Sequence, residues 1–134
     1  MNVKTRNNVG RGLLLSLVLI LMLTFASCGT KTLEKYVNDN AELKQQIESI
    51  GAGTGLEVDI KDNVVTYTYK YKQTFTDDQL KVVKTSLEEA MSKAEGQFTN
   101  IVTQLEKETE IDGISVVVKY MNGDDKEIYS KEFK

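Results

Sequence analysis

The chain has 134 residues, with 17 Lys and Arg against 20 Asp and Glu for a formal net charge of −3, a single Cys, and no His, Pro or Trp. A lone cysteine excludes an intrachain disulfide, and the missing histidine removes the commonest zinc ligand and the commonest general base. Mild acidity, with Arg6 and Arg11 the only arginines, argues against nucleic acid as a partner, because phosphate backbones are held by clustered Lys and Arg.

Lys4, Arg6 and Arg11 precede an apolar run from Leu13 to Ala26, and no acidic residue occurs before Glu34. This is a positive segment followed by an apolar stretch of signal-peptide length, short of the roughly 20 residues that cross ~30 Å of hydrocarbon. Phe25-Ala26-Ser27-Cys28 resembles the lipobox of bacterial lipoproteins. The resemblance implies cleavage between Ser27 and Cys28 and a diacylglyceryl group on the Cys28 thiol. Two acyl chains hold where one binds only marginally, at ~0.8 kcal/mol per buried methylene. A signal cleaved without lipidation, an uncleaved anchor and a free thiol are the other readings of the same residues. The expected organisation is a signal peptide at 1–27, a lipidated Cys and short tether at 28–31, and a single domain at 32–134, outside the cell membrane. Losing Lys4, Arg6 and Arg11 takes the net charge from −3 to −6 and leaves a chain long enough for one domain with a thin core.

From Thr32 to Ile50, Leu33, Tyr36, Val37, Leu43, Ile47 and Ile50 recur at helical spacing. Asn38-Asp39-Asn40 interrupts the stripe, and Asp39 with Glu42 has capping-box spacing, so one helix and two short helices both remain open. Gly51-Ala52-Gly53-Thr54-Gly55 follows a helix rather than a strand and lacks a Lys, which makes it a helix stop and connection instead of a phosphate loop.

Leu56 to Ile60 and Val65 to Tyr71 alternate around Asp62-Asn63. A two-residue turn there sets Ile60 opposite Val65, Val58 opposite Tyr67 and Leu56 opposite Tyr69, with all six on one face. Phe75-Thr76-Asp77-Asp78-Gln79-Leu80 reads as a helix start, with Thr76 as N-cap, Gln79 at the third position and acids at the positive end of the dipole. The stripe from Leu80 through Leu105 predicts a long helix to about Lys107, in which Gly96 marks a bend or a close approach to the sheet. Ile114, Val116, Val118 and Tyr120 predict a strand returning after Asn122-Gly123-Asp124-Asp125 as Ile128 to Phe133. A four-residue connection, pairing Val118 with Tyr129 and Ile114 with Phe133, fits the apolar pattern better than a strict Asn-Gly turn. That loop lacks the acidic spacing of an EF-hand. The expected fold is a two-layer α+β domain of helix-hairpin-helix-hairpin order (αββαββ), with a four-stranded antiparallel sheet and the long helix across its apolar face.

Leu33 to Asp39 (LEKYVND), Val64 to Tyr69 (VVTYTY) and Ile128 to Phe133 (IYSKEF), following a lipobox, resemble a family of small Gram-positive lipoproteins catalogued as domain of unknown function 4854. The resemblance spans essentially the whole mature chain and implies no catalytic or ligand residues. A proline often follows the Asn-Asp pair in that family, where this chain has Asn40.

No cofactor and no metal site is expected. The leading functional expectation is a non-catalytic interaction module, joined to the membrane through Cys28, whose partner is a protein or envelope polymer. The alternative is carbohydrate or peptidoglycan binding through Tyr67, Tyr69 and Tyr71, if they form an open aromatic row; aromatics at strand spacing are more often core. An enzyme is the third. The adjacent acids Glu88-Glu89 and Asp124-Asp125 suit solvated surfaces better than acid-base work.

Overall fold

A computed structural model describes residues 32–52 and 55–134. The expected signal peptide at 1–27, the Ser27-Cys28 site and the tether at 28–31 lie outside the described residues. In chain order the elements are α1 (Leu33–Asn38), α2 (Ala41–Ile50), β1 (Leu56–Lys61), β2 (Val64–Lys70), α3 (Asp77–Thr109), β3 (Ser115–Met121) and β4 (Glu127–Phe133). The first helical stretch is therefore two helices. Asp39 closes α1, and the Asn40 side chain accepts the Leu43 N–H at 3.0 Å, so Asn40 rather than Asp39 caps α2. Short polar side chains beside the backbone favour such a break over a continuous helix.

The first hairpin has the register its pattern dictates, with Leu56 opposite Tyr69, Val58 opposite Tyr67 and Ile60 opposite Val65. Asp62 takes a φ of 51° in the turn, as a two-residue hairpin connection requires of its first central residue. The sheet order is β1-β2-β3-β4, and the expectation of a wholly antiparallel sheet is corrected, because β2 and β3 are parallel. The reason is the return path. Helix α3 leaves from the C-terminal end of β2 and carries the chain back, so that Ser115 donates its N–H to the Asn63 carbonyl at 3.0 Å and β3 starts where β2 started. A strand, a helix and a strand in one sheet make a parallel crossover.

The second hairpin also departs from its expected register. Tyr120 lies opposite Tyr129, Val118 opposite Lys131 and Val116 opposite Phe133, two residues away from the pairing of Val118 with Tyr129. The turn itself accounts for the shift. Asp125 donates to the Asn122 carbonyl at 3.0 Å, Asn122 donates to the Lys126 carbonyl at 2.7 Å, and Asp125 has a φ of 66°. That is a three-residue loop with a left-handed last position, and a register shift beside Tyr120 and Met121 takes up one further residue.

All three helices cover one sheet face. Leu33, Tyr36 and Val37 of α1, Leu43 and Ile47 of α2, and Met91, Phe98, Ile101, Val102 and Leu105 of α3 form one cluster with Val65, Tyr67, Val116, Val118 and Phe133. The opposite face carries Glu57, Asp59, Thr66, Thr68 and Lys119, none of them buried. Helix α3 begins as expected, with the Thr76 N–H donating to Gln79 Oε1 at 3.0 Å. Gly96 is exposed, and a Cβ there would meet nothing within 4 Å, so it marks no close approach to the sheet. Phe98 stacks on Phe133 with centroids 4.5 Å apart, and Lys131 runs along the same face to reach Glu95 Oε2 at 3.1 Å. Among the described residues no helix is long and apolar enough to cross a membrane.

Leu105 is almost wholly enclosed between α3 and the sheet. Leu105→Ala is expected to lower unfolding stability by about 2–5 kcal/mol, measured by urea titration. A loss below about 0.5 kcal/mol, typical of a surface site, would contradict this packing.

Candidate functional site

Two asparagines define the two ends of the sheet. At one end Asn63 Oδ1 accepts the Leu33 N–H at 3.0 Å, while its Nδ2 donates to the Asp112 carbonyl at 3.1 Å. It thereby ties the start of α1 and the connection from α3 to β3 onto the first hairpin turn. Glu106 secures the same connection, its Oε1 accepting from the Gly113 and Ile114 N–H groups at 2.8 and 3.1 Å. At the other end Asn122, 1% exposed, accepts the Phe75 N–H at 2.8 Å and donates to the Phe75 carbonyl at 3.2 Å. Its amide acts as a short piece of strand backbone that holds the chain entering α3. The sequence pattern places Asn122 in the connection between two strands; nothing local distinguishes an asparagine that serves a partner 47 positions away.

At the Asn122 end four aromatic rings meet. Tyr69 and Tyr71 are 5.1 Å apart and perpendicular, Tyr71 packs edge-on against Phe75 at 5.1 Å, and Tyr71 stacks with Tyr120 at 6.3 Å. The parallel register makes the group possible, because it sets Tyr69 directly beside Tyr120. Of the three tyrosines that sequence proposed as a row, Tyr67 is 4% exposed and belongs to the core, Tyr71 is half-buried, and Tyr69 is 37% exposed. Tyr69 and Tyr71 alone of the three make a notch with perpendicular walls, and Tyr120 and Phe75, which no local spacing joins to them, complete it.

Burial raises the pKa of Tyr71, with Tyr69 adding to it, and burial followed by Tyr71 and Tyr69 raises that of Tyr120. The phenols are therefore neutral hydrogen-bonding groups. Beside the rings lies an open cleft of about 420 Å³, lined by Gly51, Gly55, Leu56, Glu57, Lys70, Tyr71, Lys72 and Gly123. Lys70 is ion-paired with Asp125. Gly51 is needed where α2 meets β1, since a Cβ there would come 2.5 Å from the Leu56 carbonyl oxygen.

The other candidate chemistry is dispersed. Glu88 and Glu89 are exposed on α3, with Glu89 3.6 Å from Lys93. Asp124 and Asp125 are exposed in the turn, each facing a lysine. Among the described residues no three His, Cys, Asp or Glu side chains gather as metal ligands.

Tyr67 carries a buried hydroxyl with no hydrogen-bond partner among the described residues, and burial drives its pKa well above the usual tyrosine range. An unsatisfied buried hydroxyl costs about 1–3 kcal/mol. Tyr67→Phe is accordingly expected to raise the denaturation midpoint; a fall would show that the hydroxyl has a partner. The folded-state pKa lies above the unfolded one, so the unfolded state loses its proton first. Stability is then complete below about pH 10 and declines above it, and the decline is expected to be shallower in Tyr67→Phe. An unchanged alkaline slope would contradict the assignment.

No curated protein and no solved structure matches the chain. A family model described as Domain of unknown function (DUF4854) matches residues 33–133, from the first turn of α1 to the last residue of β4. The match covers every helix and strand described above, and the chain belongs to the DUF4854 family.

Proposed function

We propose that the protein is a lipoprotein held on the outer side of the cell membrane through Cys28, and that its domain is a non-catalytic module that binds a protein or envelope polymer. One observation carries this reading: the chain enters the domain at the end of the sheet opposite the aromatic notch. Thr32 and Leu33 sit on the Asn63 end, whereas Tyr69, Tyr71 and Tyr120 lie at the Asn122 end. The seven residues of β2 separate the two ends by about 20 Å. Gly29, Thr30 and Lys31 span about 10 Å at most. Acyl chains on Cys28 therefore hold the Asn63 end against the bilayer and turn the notch outward. Partly exposed aromatics on a rigid strand end are a common form of contact anchor.

Carbohydrate or peptidoglycan binding is the alternative, and the exposure of Tyr69 favours keeping it. The perpendicular setting of Tyr69 against Tyr71 offers one sugar face at a time rather than a platform. Catalysis has less support, since the paired acids stand in solvent beside lysines or alone.

Cys28→Ser is expected to move the protein from the membrane to the soluble fraction, and mass spectrometry of the parent is expected to find an acylated Cys28 at the mature N-terminus. A full-length, unmodified chain in the cytosol would overturn the anchor. For the notch, Tyr69→Ala is expected to cut photo-crosslinking to a partner in intact cells about tenfold with little change in denaturation midpoint. Undiminished crosslinking would remove the notch from the interface, and loss of binding to soluble peptidoglycan fragments in the same variant would select the polymer as the ligand.

A further inference from the structure

We infer that Asn122-Gly123 is a deamidation site gated by folding: inert while the asparagine holds Phe75, and converted once that hold opens. It is the only Asn-Gly pair in the chain, and Asn-Gly is the dipeptide in which the following backbone nitrogen reaches the side-chain amide with least hindrance. The Gly123 nitrogen attacks Cγ of Asn122, the bond from Cγ to Nδ2 breaks, and Nδ2 leaves as ammonia with the proton from the Gly123 amide. Water then opens the succinimide at one or other carbonyl, leaving aspartate or isoaspartate.

Folded, the nitrogen and the side-chain amide of this reaction are both held by hydrogen bonds. The Gly123 N–H donates to the Gln73 carbonyl at 3.2 Å and to Asn122 Oδ1 at 3.0 Å, so its proton is held. Asn122 Oδ1 and Nδ2 are fixed on Phe75 at 2.8 and 3.2 Å, in a residue 1% exposed, so the carboxamide, although its oxygen lies near the Gly123 nitrogen, cannot rotate to open the face of Cγ to attack. Both members of the vulnerable pair are structurally required. Asn122 supplies a donor and an acceptor that the chain entering α3 needs, and at position 123 a Cβ would come 2.8 Å from the Gln73 carbonyl group and the Thr74 hydroxyl.

Conversion is also one-way for the fold. Aspartate in place of Asn122 sets a carboxylate oxygen, with no proton to donate, where Nδ2 now faces the Phe75 carbonyl. Isoaspartate adds a backbone methylene at the residue that closes the three-residue loop. Neither restores the anchorage of α3, so a chain that opens and reacts cannot close again in the same way. This holds whatever the domain binds.

The test uses the full chain, incubated folded and urea-unfolded at one mildly alkaline pH, with deamidation at Asn122 followed by peptide mass mapping and isoaspartate detection. Conversion is expected to be at least ~100-fold slower in the folded protein, since it must await opening of a core-linked contact. Rates within about threefold of each other would overturn the gating. In urea, Gly123→Ala is expected to slow conversion; an unchanged rate there would overturn the succinimide route. Asn122→Asp is expected to lower the denaturation midpoint or to prevent folding, and a midpoint equal to the parent's would overturn the claim that conversion is one-way.

Discussion

The chain passes twice along the sheet, and two asparagine side chains determine where each pass begins and ends. Asn122 fixes the chain entering α3 beside the end of β3, and Asn63 receives the chain leaving α3 beside the start of β2. Between these points α3 runs back over the sheet, so β3 has no choice but to lie parallel to β2. Each clasp satisfies backbone groups that a connection would otherwise have to hydrate. The cost of leaving such groups unpaired in a partly buried site is what turns two turn residues into determinants of topology.

The candidate site follows from the same geometry. A parallel central pair sets Tyr69 beside Tyr120, and the path into α3 adds Phe75 to Tyr71. Had the two hairpins met antiparallel, these residues would lie at opposite ends of the sheet and no notch would form. The described entry of the chain at Leu33, on the Asn63 clasp, is likewise set by topology, and it places that entry far from the notch. The entry of the chain at Leu33 and the ring group at Tyr69 therefore belong to opposite ends of one sheet.

What the sequence disclosed follows the range of the forces involved. The first hairpin was legible to the residue, because Ile60, Val58 and Leu56 match Val65, Tyr67 and Tyr69 only with a two-residue turn. The start of α3 was equally plain, since Thr76 and Gln79 act within one turn of each other. The second hairpin was legible as a pair and not in register, because the left-handed Asp125 and the shift beside Tyr120 leave no local pattern. The strand direction between hairpins was not legible at all. Turn chemistry orients neighbours, whereas the pairing of β2 with β3 depends on Asn63 and Asn122 acting across 49 and 47 positions. For the site, period-two spacing correctly put Tyr67, Tyr69 and Tyr71 on one face. It could not say that α3 and the short helices would enclose Tyr67 and leave Tyr69 at the margin.

The parallel join is the point on which the notch, its distance from the entry of the chain and the role of both clasps converge. Nuclear Overhauser contacts between the backbones of β2 and β3 report on it directly. A parallel join gives contacts of Val64 with Ser115 and of Thr68 with Lys119, in step along both strands. Contacts of Val64 with Met121 and of Lys70 with Ser115 would mean an antiparallel join, and would take the aromatic notch apart.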